Sequence, residues 1–279
     1  MAAAAGDVPM KARSLLTTLG LSLAVLSSVA LPAQAETKTL VNGPISAEVS
    51  YDPEPDSRFV NNVRIQISRQ GQTLLDAAVP ESNLVALAAR GEVPVEIQDL
   101  DADGEPEVIL DLYTGGAHCC TVSNIYRYLP DQNTYQASTK DWRDYSYRRE
   151  FLNGDAVPEF VSADPRFAYQ FTSFAGSGVP VQIWNYRAGR WTDVTRQYPA
   201  RIYNDAFRWW QSFERVRREN PNHDALEVRG VLAAYMADKY LLGQEEDGWR
   251  RLRQVYRYSD REQYFSELRS FLRETGYAR

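Results

Sequence analysis

The residues of this chain best suited to chemistry lie in one run, Asp99-Leu100-Asp101-Ala102-Asp103-Gly104-Glu105-Pro106-Glu107. Alternation puts Asp99, Asp101 and Asp103 on the concave side of a turn. Gly104 permits the positive φ that reverses the chain. Glu105 can offer its backbone carbonyl, and Glu107 can reach back directly or through a water. A loop of this kind wraps a hard cation with oxygens. Calcium accepts about six to eight of them in a flexible shell, whereas magnesium prefers a tighter octahedron and keeps its waters; calcium is therefore the expected cofactor. The plainer reading is an acidic turn that solvates its charges, but carboxylates crowded so closely repel one another at low salt.

A second cluster follows at Thr114-Gly115-Gly116-Ala117-His118-Cys119-Cys120, which holds both cysteines and one of the two histidines. Three readings compete. An oxidising compartment favours a Cys119–Cys120 disulfide, although neighbouring Cα atoms across a trans peptide are closer than disulfides usually allow. On a strand the two thiols would instead point to opposite faces. His118, Cys119 and Cys120 could also form a redox or soft-metal site for copper(I) or zinc.

The elements around the acidic loop define its class. An EF-hand needs an acidic residue at the twelfth position, where Leu110 stands, and helices on both sides, where this chain has Val95-Glu96-Ile97 and Val108-Ile109-Leu110. Strand, DxDxDG loop, strand resembles instead the calcium loops of FG-GAP and VCBS repeats, the integrin α-type blade unit. That resemblance implies ligand roles for Asp99, Asp101, Asp103, Glu105 through its carbonyl, and Glu107. A weak internal repeat supports a blade-like unit: aligning Glu159 with Glu107 puts Phe151 at the place of Asp99 and Ala156 at that of Gly104. Asn153, Asp155 and Glu159 remain, so this copy reads as having lost its ion. A third, more diverged unit is expected over 45–90. About three units fit before residue 200, fewer than the four to eight blades of a closed propeller, which points to a partial or open array.

The first 35 residues carry a leader pattern: Lys11 and Arg13, an apolar run from Leu15 to Leu31, then the small-x-small motif Ala33-Gln34-Ala35. The expected location is therefore outside the cytoplasm, periplasmic or extracellular, with no membrane span after cleavage. Met10 is an alternative start. Residues 36–199 carry 14 Lys/Arg against 23 Asp/Glu, and residues 200–279 carry 15 against 13. The acidic front half suits cations and argues against a nucleic-acid partner.

Short β-type runs fill 36–199, with hairpin signals at Arg69-Gln70-Gly71-Gln72, Pro130-Asp131-Gln132-Asn133 and Arg187-Ala188-Gly189-Arg190. From residue 200 the period becomes helical, with four apolar faces and a capping box at Ser259…Glu262. The expected class is α+β: a mostly antiparallel β domain over 36–199, then a four-helix domain over 200–279. Trp209 and Trp210 are expected in the helical core or, alternatively, lining a partner groove. No catalytic site is expected. With only His118 and His223, histidine triads have little to be built from, and no phosphate-cradling glycine loop is present. The sequence thus suggests an exported calcium-binding scaffold with a protein or glycan partner, or alternatively a redox or soft-metal protein.

Overall fold

A computed structural model describes residues 35–279, apart from 56, 58, 80–84, 87–92, 117, 221–223 and 279. The expected leader, but for Ala35, lies outside the described residues, as do His223 and Ala117.

The described residues include thirteen strands, twelve of which form three antiparallel meanders. The first comprises β1 (Glu36–Asn42), β2 (Ile45–Pro53), β3 (Phe59–Arg69) and β4 (Gln72–Ala78). The second comprises β6 (Val95–Gln98), β7 (Glu107–Tyr113), β8 (Thr121–Leu129) and β9 (Thr134–Arg143). The short β5 (Val85–Ala86) pairs with both β3 and β7 and so joins these two meanders into one nine-stranded sheet. The third is a separate four-stranded sheet of β10 (Arg148–Glu150), β11 (Glu159–Ala163), β12 (Val181–Arg187) and β13 (Arg190–Asp193). The expected hairpin turns form where positive φ is needed: Gln70 and Gly71 close β3–β4, and Ala188 and Gly189 close β12–β13.

Strand β7 explains how the meanders stack. Residues 107–110 are buried without alternation, the pattern of a strand covered on both faces. Val108, Leu110 and Leu112 enter a core with Ile45, Val49, Ile65 and Ile67 of the first meander. Ile109 points the other way, into a core with Leu100, Trp142, Phe160 and Tyr186. The second meander is thus the middle layer, with the first meander against one face and the third against the other.

Four helices follow: α1 (Pro199–Glu219), α2 (Leu226–Leu241), α3 (Glu245–Val255) and α4 (Arg261–Glu274). Phe167 and Phe171, which precede β12, pack into the helical core beside Phe213, Tyr264 and Phe271. The capping box does not form. Asp260 stands at the N-cap of α4, but its carboxylate accepts from Arg229 and the Tyr256 hydroxyl and not from the helix N–H groups, and Glu262 pairs with Arg261. A vicinal cation is a stronger partner for that carboxylate than a backbone N–H open to water. Trp209 and Trp210 are partly buried at the edge of the core, with Trp209 donating to Asp205 at 3.0 Å. No helix among the described residues is long and apolar enough to cross a membrane.

α2 is the buried centre of the bundle, and Gly230 sets how closely it approaches the β part. A Cβ at Gly230 would lie 2.4 Å from the carbonyl oxygen of Gly176 and 2.9 Å from the Cα of Ser177, both backbone. In an exposed helix Gly→Ala stabilises by about 1 kcal/mol; here the sign reverses. Gly230→Ala should cost about 1–3 kcal/mol through overpacking, read as a lower urea midpoint at unchanged slope.

Candidate metal centre

The acidic loop is the connection of the β6–β7 hairpin, closed by the pair Gln98–Glu107. Positive φ falls at Ala102 (58°) and Gly104 (88°). The loop holds itself by its own carboxylates: Asp99 accepts from the N–H groups of Asp101 (3.3 Å) and Gly104 (3.0 Å), and Asp103 accepts from that of Glu105 (2.9 Å). Backbone and ligand positions are therefore fixed together.

Carboxylate oxygens of Asp99, Asp101 and Glu107 lie within 4.8 Å of one another. Glu107 is fully buried; its Oε2 accepts from Leu100 N–H at 2.9 Å, while its Oε1 has no hydrogen-bond partner. Asp101 shows the same division. Its Oδ2 accepts from Ala188 N–H at 2.7 Å, in the β12–β13 turn, and its Oδ1 is buried without a partner. Two buried acceptors left open cost free energy unless something positive meets them.

Asp103 and Glu105 are turned elsewhere. Asp103 pairs with Arg127 on β8 at 2.9 Å, and Glu105 makes a two-pronged pair with Arg69 on β3. The Arg127 Nε stands 4.0 Å from both Asp101 and Glu107, beyond hydrogen-bond reach of either. Five carboxylates against two guanidiniums leave an excess of three negative charges when Glu107 is ionised. Burial pushes the Glu107 carboxyl up to about 7, against the lowering pull of the Leu100 N–H, and the charges of Asp101, Asp103 and Asp99 add to the rise. The two arginines went unrecognised in the sequence. The signal for Arg127 was a cation inside an otherwise apolar strand run, Ile125-Tyr126-Arg127-Tyr128, whereas Arg69 ends a run with polar residues at alternate positions and carried none.

The second copy repeats the frame without the charge. Glu159 closes the β10–β11 hairpin opposite Glu150 and accepts from Leu152 N–H at 3.0 Å, matching Glu107 and Leu100. Where Asp101 stands in the first loop, the Asn153 amide donates to Asp155 at 3.0 Å and to Glu159 at 3.4 Å. A side-chain N–H group thus occupies the place between carboxylates that a cation would take.

The His-Cys-Cys segment lies in the β7–β8 connection. Cys119 and Cys120 form a disulfide across a cis peptide bond. That pairing corrects the reading with two thiols on opposite faces. A soft metal at His118, Cys119 and Cys120 would need the pair reduced to thiolates. His118 Nδ1 lies 3.0 Å from Asp144, its Nε2 lies 3.1 Å from the Tyr169 hydroxyl, and its ring stacks on Phe174 at 3.7 Å. An ionised Asp144 can only accept, so Nδ1 donates to it. His118 thereby fastens its loop to the segment before β10 and to that before β12.

With this geometry in place, three comparisons bear on the chain. Residues 202–276, the helical part, match the family model described as the sll0997 C-terminal domain. The chain is 29% identical over 273 residues to the probable thylakoid lumen protein sll0997 of Synechocystis sp. (strain ATCC 27184 / PCC 6803 / Kazusa), covering 84% of this chain and 74% of that protein. It is 28% identical over 211 residues to the uncharacterized protein y4bJ of Sinorhizobium fredii (strain NBRC 101917 / NGR234), covering 74% of this chain but 31% of that protein. No solved structure matches.

A carboxyl whose folded pKa is raised contributes stability below its unfolded value and loses it as pH rises through the folded one. Without divalent cations, stability should therefore fall as pH rises from near 4.5 through about 7. Buried Asp238, also raised by burial, acts in the same direction, so the variant comparison isolates Glu107. Glu107→Gln should lose on the order of 2 kcal/mol less than wild type between about pH 5 and 8, measured by urea unfolding in EDTA.

Proposed function

We propose that this protein is an exported, non-enzymatic scaffold for binding a partner, its β part steadied by one structural calcium ion in the β6–β7 loop. One observation carries the calcium reading: the open Oδ1 of Asp101 and Oε1 of Glu107, both buried and both within a carboxylate cluster that retains excess negative charge. An all-oxygen, flexible donor set suits calcium better than magnesium or a soft metal. Asp99, Asp101 and Glu107 would hold the ion. The likeness to FG-GAP and VCBS loops suggests that the Glu105 carbonyl would add to its shell, and Asp103 if it left its pair with Arg127. Three four-stranded meanders of similar plan are consistent with that likeness.

Export is supported by the leader pattern before Glu36 and by similarity to a protein named for the thylakoid lumen.

The test is thermal melting with and without calcium. At a free concentration about a hundredfold above Kd the ion adds about 2.7 kcal/mol, which for a chain of this size raises Tm by about 5–10 °C. Magnesium should give a smaller rise. Asp101→Ala and Glu107→Gln should abolish the calcium response. A wild-type Tm indifferent to calcium would sink the proposal.

A further inference from the structure

The second loop copy has replaced more than its ion. Phe151 occupies the place of Asp99, which in the first loop folds inward onto two N–H groups. The Phe151 ring instead is 59% exposed, a solvent-facing aromatic on a frame otherwise preserved. It stands at the rim of a cavity of about 500 Å³ between the second and third meanders, whose walls include Glu96, Gln98, Asp111 and Arg149. These walls are built, not merely adjacent. Arg149 donates to Gln98 at 2.6 Å and to Glu96 at 2.5 Å, linking carboxylate, guanidinium and amide in one array. Asp111 receives the Ser123 hydroxyl on one oxygen (2.5 Å) and the Tyr147 hydroxyl on the other (2.8 Å).

We propose that this cavity is a saccharide-binding site, with Phe151 as the platform for a pyranose ring and the Glu96–Arg149–Gln98 array as the reader of its hydroxyls. The charge balance argues for a neutral ligand. Glu96 and Asp111 are matched by Arg148 and Arg149 around the same cavity, so an anion or a cation would meet as much repulsion as attraction. A sugar hydroxyl both donates and accepts, and so satisfies a carboxylate and a guanidinium side by side. The apolar face of a pyranose presents C–H groups to the negative face of an aromatic ring. A wholly apolar ligand would find one ring and a polar wall.

The inference rests on the partner-binding half of the proposed function and is independent of the calcium ion. It is tested on the full chain by titration calorimetry with maltohexaose, cellohexaose and chitohexaose, in calcium. At least one should bind with a Kd below about 1 mM. Phe151→Ala and Arg149→Lys should each weaken it by at least about tenfold, Phe151→Tyr should retain it, and Tm should be unchanged in the Phe151 variants. Failure of all three sugars to bind, or equal binding by Phe151→Ala, overturns the site. The calcium response of Phe151→Ala reports separately: its persistence without sugar binding sinks only the saccharide site. Sugar binding without any calcium response in wild type sinks only the ion.

Discussion

A single buried carboxylate organises the acidic loop. Glu107 begins the central strand of a meander covered on both faces, where water cannot reach it, and one of its oxygens closes the loop through Leu100 N–H. Its other oxygen is buried without a hydrogen bond among the described residues, 4.0 Å from the Arg127 Nε. Moving Glu107 would break the hairpin closure; neutralising it would leave the other carboxylates around a weaker centre. The loop's curvature, its inward aspartates and the guanidiniums at its margin all answer to that fixed negative point. The margin is only partly effective. Arg127 satisfies Asp103 but stops at 4.0 Å from Asp101 and Glu107, close enough to soften the field and too far to end it.

The two hairpin loops form an internal comparison. Both have an eight-residue connection, a closing Glu, a Leu N–H capping that Glu, and a positive φ at equivalent positions, Ala102 and Gly154. What differs is the means of holding the carboxylates apart. In the first loop charge is left over; in the second Asn153 supplies N–H groups and the count of acids falls. The backbone frame therefore does not itself require an ion, and the side chains decide. Freed from that requirement, the second loop can present Phe151 to solvent.

Much of this was legible in the sequence because it is local. The acidic loop, its flanking strands, the two-residue hairpin turns at Gln70-Gly71 and Ala188-Gly189, and the switch to helical period near residue 200 all depend on neighbours within a few positions. The repeat was readable for the same reason, since Glu107 and Glu159 keep their distance from Leu100 and Leu152. What escaped depends on distant partners. Ala188 meets Asp101 through a backbone N–H that any residue but proline offers, so its identity carries no signal. Arg69 and Arg127 could be placed on strands but not aimed. The alternation rule put Asp103 beside Asp101, yet a guanidinium from a strand some twenty residues away turned it outward. The capping box at Ser259 failed likewise, because the helix N-cap falls one residue later, at Asp260, whose carboxylate is held by Arg229 of α2.

The hydrogen bond from Ala188 to Asp101 joins residues 87 positions apart. Contacts of such separation form late, since a long loop must close before they reward it. As the chain emerges, β6 and β7 can pair at once, but Asp101 has its anchor only after the third meander has folded and docked. Folding order is written into the loop: its anchoring can be complete only in a molecule whose last sheet is already in place.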